Sequence, residues 1–127
     1  MRTFYFLMLT ASLLGCASPQ LQDVTDGSSH PAVLNATYAV MADGYRLPVT
    51  VWQAEAPAAM LLALHGFNDY RNAFDGPAAF FAASNITTYA YDQRGFGETV
   101  QRGLWPGDDV LEADAAGMAK LLCEKHP

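Results

Sequence analysis

The sequence predicts an α/β fold, and three observations carry the prediction. Two extended runs flank the turn dipeptide Asp43-Gly44, two further runs at Ala58–Leu64 and Ile86–Tyr91 are apolar or β-branched, and a helical pattern follows each of those. Extended and helical segments in alternation are the signature of a sheet joined by crossover helices. With 127 residues, 51% hydrophobic and 16% charged, the chain holds one domain with a core and is not disordered as a whole.

Leu34 to Met41 and Tyr45 to Gln53 read as a β-hairpin, because Asp-Gly tolerates the positive φ of a tight turn. Pro48 has no N–H for a ladder and demotes its run to an edge or a bulge. Ala58 to Leu64 is continuously apolar between Pro57 and His65-Gly66, a length that suits a strand buried on both faces. Ala and Leu would also favour a short buried helix; the sharp stop at His65-Gly66 tilts the reading to strand. Gly76-Pro77 opens a helix running to Ser84, with proline in its first turn. Ile86 to Tyr91 is the next strand by its β-branched and aromatic content.

The last helix opens at Asp109-Val110-Leu111-Glu112, an acidic cap with Glu three residues on, and Leu111, Ala115, Met118 and Leu122 share one face. Lys120 and Lys125 lie toward its C-terminal end, where the helix dipole favours cations, and Pro127 cannot continue it. Cys123 adjoins the apolar stripe and reads as core packing rather than as a reactive thiol.

Charge excludes one class of partner. Seven Lys and Arg are scattered singly against thirteen Asp and Glu, for a net charge of −6, so a nucleic acid finds no basic footprint. At the N-terminus, Met1-Arg2 precedes the uncharged and mostly apolar stretch Phe4–Leu14, which is too short to span a bilayer and fits a cleaved export signal over residues 1–15. Residues 16–32, rich in Ser, Pro, Gln, Asp and Gly, read as a flexible linker that includes His30. Residues 33–127 are then the domain.

Ligands of open parallel sheets gather at the carboxyl ends of strands, which singles out two loops. In the first, His65-Gly66-Phe67-Asn68-Asp69, Gly66 allows close backbone approach and the Phe67 amide is a candidate oxyanion donor. Taken alone, His65 reads as a satisfied turn histidine. The second is Asp92-Gln93-Arg94-Gly95-Phe96-Gly97-Glu98-Thr99. Its Gly95 and Gly97 do not make a dinucleotide site, since they stand three residues beyond the strand and Val100 occupies the third glycine position. A P-loop is excluded by the absence of Gly-Lys-Ser/Thr. Asp92 and Arg94 read as a structural pair that organises each other and the loop amides.

Together the two loops resemble the N-terminal half of an α/β-hydrolase, in which His-Gly-x-x follows the third strand and Asp-x-Arg-Gly-x-Gly-x-Ser the fourth. The resemblance covers Val33 to Pro127 and is nearest the monoacylglycerol lipase, lysophospholipase and serine aminopeptidase S33 branch. Asn68 departs from the His-Gly-x-Pro of epoxide hydrolases and haloalkane dehalogenases, and Thr99 replaces the usual serine but keeps a hydroxyl. The resemblance implies a β-hairpin followed by β-α-β-α with the sheet incomplete. It also implies an oxyanion loop of His65, Gly66 and Phe67, a structural loop of Asp92, Arg94, Gly95 and Gly97, and ester or lipid-like small-molecule substrates with no cofactor and no metal.

The family's Gly-x-Ser-x-Gly elbow is not among the residues, because Ser12, Ser18, Ser28, Ser29 and Ser84 all lie in other contexts. A fragment is expected, with nucleophile, acid and base absent, His126 a helix-end residue, and Ala58–Leu64 an apolar open edge. Leu13-Leu14-Gly15-Cys16 resembles a bacterial lipobox, which implies acylation of Cys16, attachment to a membrane and residence in the cell envelope, at the outer membrane or periplasmic face. Cys123 would then have no partner for a disulfide. An ordinary signal peptide cut nearby is the alternative there. For the chain as a whole the alternative is a non-catalytic remnant lipoprotein.

Overall fold

The computed structural model describes residues 18–23 and 29–127; the expected leader and Cys16 lie outside the described residues. Five strands form one mixed sheet: β1 (Val33–Leu34), β2 (Tyr38–Val40), β3 (Arg46–Trp52), β4 (Ala59–Ala63) and β5 (Ile86–Tyr91), in the order β1-β2-β3-β5-β4. Helix α1 (Asp75–Ala83) connects β4 to β5 after a 3-10 turn at Arg71–Phe74, and α2 (Asp108–Lys125) ends the chain. Only β4 and β5 are parallel, with Leu61 opposite Thr88 and Ala63 opposite Ala90; the other pairings are antiparallel.

The expected hairpin is a three-stranded meander. The Asn35 amide donates to the Tyr38 carbonyl at 2.8 Å, which folds the first run back on itself and splits it into β1 and β2. The second turn is as the sequence predicts: Gly44 sits at φ 79°, and the Tyr45 amide donates to Asp43 Oδ1 at 3.1 Å. Pro48 is not on an edge. β3 pairs with β2 through Pro48 and with β5 from Val49 onward, and the Pro48 carbonyl accepts the Asp92 amide at 3.0 Å just past the last ladder residue, Tyr91. The N–H that proline lacks would face that same side, where no ladder partner remains to demand it.

Sheet position decides burial. β5 has a strand on either side, and Thr87 to Tyr91 are all buried, whereas β4 is an edge strand in which only Ala63 is buried. The apolar run expected to be covered on both faces is therefore half-covered. The core gathers Met41, Tyr45, Leu47, Val49, Tyr89 and Tyr91 against Met118 and Leu122 of α2, with Met60 and Leu62 of β4 at its margin.

Helix α2 begins one residue ahead of the expected cap. Its N-cap is Gly107 at φ 97° with no side-chain capping bond, so Asp108 and Asp109 act in the first turn through the helix dipole and not as a capping box. Met118 and Leu122 are buried, Leu111 and Ala115 are half-buried, and the further buried position is Asp114. Cys123 is exposed, contrary to the core-packing expectation, since it is rotated about 100° from Leu122 around the helix.

Part of the segment read as a flexible linker is fastened down. Leu21 bridges to Trp105, the Gln22 amide donates to the Trp105 carbonyl at 2.9 Å, and the Trp105 amide donates to the Gln20 carbonyl at 2.7 Å. Further along, the His30 amide donates to the Ala42 carbonyl at 2.7 Å. Among the described residues no helix is long and apolar enough to cross a membrane.

Candidate active site loops

The carboxyl ends of β4 and β5 are adjacent, which brings the two singled-out loops together. His65 is buried, and its Nε2 accepts the Gln93 amide at 3.0 Å. Its Nδ1 lies 2.9 Å from the Gly66 carbonyl, a geometry that places the ring proton on Nδ1. The Gln93 side-chain amide also donates to the His65 carbonyl at 2.6 Å, so the second loop holds the first through both backbone and side chain.

The first loop then turns sharply. The Asp69 amide donates to the Gly66 carbonyl at 3.2 Å, and Asn68 takes φ 62°, a left-handed conformation that asparagine tolerates better than most residues. Phe67 stands at the tip with 82% of its surface exposed, and among the described residues its N–H has no protein acceptor. Among the described residues, its two chain neighbours aside, nothing lies within 4 Å of where a Cβ on Gly66 would stand.

In the second loop Asp92 and Arg94 do not pair with each other. Asp92 is fully buried, accepts the Arg71 amide at 2.9 Å and the Glu98 amide at 2.8 Å, and forms an ion pair with the Arg71 guanidinium. Arg71 reaches on to Glu98 at 2.6 Å and Thr50 at 3.0 Å. Arg94 runs the other way. It makes a two-pronged contact with Asp114 of α2 at 2.6 and 2.9 Å, another with Asp43 of the hairpin turn at 2.5 and 2.8 Å, and lies 4.1 Å over the Tyr45 ring. Each charge has a better-placed partner across the fold than its near neighbour in sequence.

Burial pushes the Asp114 carboxyl up, and the opposing Arg94 contacts do not fully offset it. At Asp43 burial acts in the same sense, but the Arg94 hydrogen bond, the Tyr45 amide and the Arg94 charge outweigh it and hold the carboxyl below the usual range. Burial works against the Arg94 cation, yet its hydrogen bonds and charge interactions with Asp43 and Asp114 raise its pKa.

Both glycines of this loop are structurally required. A Cβ on Gly97, at φ 56°, would collide with the Asp92 carboxylate, and one on Gly95, at φ 85°, would collide with the Leu104 carbonyl. Thr99 is buried and donates to the Phe96 carbonyl at 2.8 Å.

Beside the loops lies a cleft of about 590 Å³, whose lining joins Phe67, Tyr70, Phe96, Leu104 and Trp105 with the polar Asn68, Asp69 and Arg102, and has Pro19 and Gln20 as well. The Phe67 ring meets Phe96 edge-on at 5.5 Å and Trp105 at 6.1 Å. Sequence reasoning missed Leu104 and Trp105, whose only signal was apolar bulk in a polar stretch between strand and helix. Among the described residues no group of His, Cys, Asp and Glu is suited to hold a metal ion.

No curated protein matches the sequence. The fold is similar to the solved structure of DcsB in complex with its substrate analogue, with a TM-score of 0.55 and 16% identity over 71% of this chain. It is also similar to a soluble variant of monoglyceride lipase from Saccharomyces cerevisiae in complex with a substrate analog, with a TM-score of 0.53 and 19% identity over 87% of this chain. The chain spans 31% and 32% of those two proteins, so the likeness extends over about a third of each. The sheet, with its antiparallel start and β5 set between β3 and β4, is part of an α/β-hydrolase fold. Residues 55–127, which include both loops, match the family described as serine aminopeptidase, S33, and the chain belongs to that hydrolase family.

Proposed function

We propose that the chain provides the N-terminal part of a membrane-anchored serine hydrolase that cleaves carboxylic esters of lysophospholipid or monoacylglycerol type. The observation that carries this reading is the Phe67 N–H, free of protein acceptors among the described residues, at the tip of a turn beside a cleft that Phe67, Tyr70, Phe96 and Trp105 line together with polar residues. Attack on an ester carbonyl drives negative charge onto its oxygen, and a backbone N–H already aimed there stabilises that charge without reorganisation. One donor is half of such a hole. The second donor, the attacking serine, its histidine base and the carboxylate that orients the base lie outside these residues, since none of the five serines stands in a Gly-x-Ser-x-Gly turn.

A cleft of about 590 Å³ is of a size to take a small ester with a short run of acyl chain. The yeast structure named for monoglyceride lipase holds a substrate analog, which supports a lipid-like ester. Cys16, acylated after export, anchors the protein to the bacterial envelope, each buried CH₂ contributing about 0.8 kcal/mol.

Sequencing the gene through and beyond the Pro127 codon tests the reading. The expected frame continues into a strand and a Gly-x-Ser-x-Gly turn, and its product hydrolyses a monoacylglycerol until that serine is replaced by alanine. A stop codon directly after Pro127, with no ester turnover, favours a non-catalytic lipoprotein instead.

A further inference from the structure

The Leu104 and Trp105 side of the cleft has no helix or strand behind it. Both residues lie in the irregular stretch between β5 and α2, which carries Gly95, Gly97, Gly103 and Gly107, all at positive φ. Irregular backbone rich in glycine has much freedom to lose, so two bulky side chains placed there need something to hold them. Their own loop supplies little. Of the N–H and carbonyl groups of these two residues, the Leu104 amide alone is used nearby, donating to the Gln101 carbonyl at 3.1 Å.

The other groups are held by Gln20–Gln22, from the far end of the sequence. The Trp105 amide donates to the Gln20 carbonyl at 2.7 Å, the Gln22 amide donates to the Trp105 carbonyl at 2.9 Å, and the Gln22 side chain donates to the Leu104 carbonyl at 3.2 Å. The same Leu104 carbonyl abuts Gly95, whose own carbonyl accepts the Gly103 amide at 2.8 Å, so the strap closes on the second loop at the point where a Cβ would not fit. Beyond it, the Trp105 ring stands 6.1 Å from the Phe67 ring, and Pro19 and Gln20 line the cleft themselves. The strap is already seated on its partners, so its role asks for no free surface.

We infer that Gln20–Gln22 is a positioning strap for the cleft: it fixes Leu104 and Trp105 and thereby sets how tightly the apolar chain of an ester is held. It acts on affinity and not on the chemical step, because the turn that carries the Phe67 N–H starts from His65, which Gln93 holds. Contacts to a remote chain are made alike in the ground state and the transition state, and their loss raises KM with kcat unchanged. The inference rests on the ester-hydrolase reading and adds to it the element that governs substrate affinity.

The test uses the full-length product of the gene in two variants. Gln22→Pro removes the amide bonded to Trp105 and the side chain bonded to Leu104, and Gln22→Ala removes the side-chain bond alone. Hydrogen exchange, read by mass spectrometry, is expected to quicken several-fold at the Trp105 amide in Gln22→Pro and by less in Gln22→Ala, with the β5 amides unchanged. Unchanged exchange at Trp105 overturns the inference; if Gln22→Pro loosens β5 as well, Gln22→Ala decides in its place. With p-nitrophenyl laurate as substrate, KM is expected to rise several-fold at constant kcat, whereas a lowered kcat at constant KM overturns the affinity role. Dansyl-undecanoic acid, a fluorescent apolar chain that needs no catalysis, is expected to bind several-fold more weakly to Gln22→Pro. A wild type that turns over no ester but binds this probe more tightly than the variant sinks the ester-hydrolase reading and leaves the strap standing. Equal binding, or none to either protein, overturns the strap whatever the turnover.

Discussion

His65 and Gln93 lock the two loops together: the Gln93 amide donates to the His65 ring at 3.0 Å, and the Gln93 side chain donates to the His65 carbonyl at 2.6 Å. The turn that presents the Phe67 N–H begins one residue later, so the clamp fixes where that turn starts.

Replacing His65 by alanine removes the ring acceptor and leaves the Gln93 amide unsatisfied in a half-buried site, at a cost of about 1–2 kcal/mol. Pulse proteolysis across a urea series reads the shift in midpoint. An unmoved midpoint would show that water replaces the ring at no cost and that the clamp is dispensable.

Phe67→Pro removes the N–H itself. In a catalytically complete enzyme this lowers kcat by about 10²–10³, the usual effect of losing one oxyanion donor, with little change in KM. Phe67→Ala keeps the N–H but gives up the ring contacts to Phe96 and Trp105, so its main effect is a raised KM. Unchanged kcat in a well-folded Phe67→Pro enzyme would retire the donor role.

Two glycines with positive φ separate strain from collision. Gly44→Ala meets open space and costs only the backbone term, about 1 kcal/mol. Gly97→Ala also drives a methyl into the buried Asp92 carboxylate, which ties Arg71 to Glu98, and costs about 3 kcal/mol or more. Equal losses in the two variants, compared by pulse proteolysis, would mean that Asp92 moves aside freely.

The apolar edge of β4 makes the 127-residue product aggregation-prone when isolated. Leu61 alternates with Met60 and Leu62, which pack on the core, so Leu61→Lys charges the strand on its other face. Light scattering should fall in that variant while helical circular dichroism is retained. A wild-type product that stays monodisperse would show the edge to be harmless.

What the sequence revealed was local. Asp43-Gly44 marks its turn, Pro77 its helix start and Ile86–Tyr91 its strand, because each rests on the preferences of neighbouring residues. Long-range pairing was hidden. Nothing near Asp92 points to Arg71, and nothing near Arg94 points to Asp43 or to Asp114 on a helix twenty residues on. The same gap hid how deeply β5 is buried, since hydrophobicity records how apolar a strand is and not whether it is central, whereas the open edge expected at Ala58–Leu64 is where β4 lies. Leu104, Trp105 and the docked Gln20–Gln22 segment were missed for a related reason: backbone hydrogen bonds between two irregular stretches leave no periodicity to read.

The two carboxylates on Arg94 respond to acid in opposite senses, and pH separates them. Asp43 is held below its ordinary value in the fold, so the stability it contributes is present above the unfolded pKa of about 3.9 and is lost as pH falls through the lower folded value. Asp114 is raised by burial, so the folded state takes up its proton first, and acidification through that raised value relieves a cost carried at neutral pH. Between the two folded values Asp114 is neutral while Asp43 still holds the guanidinium. The penalty of Asp114→Asn, measured as a shift in urea midpoint, should therefore grow as pH falls, while the penalty of Asp43→Asn shrinks. If both penalties fade together, the carboxylates titrate as one unit and the separation drawn from their different burial is wrong.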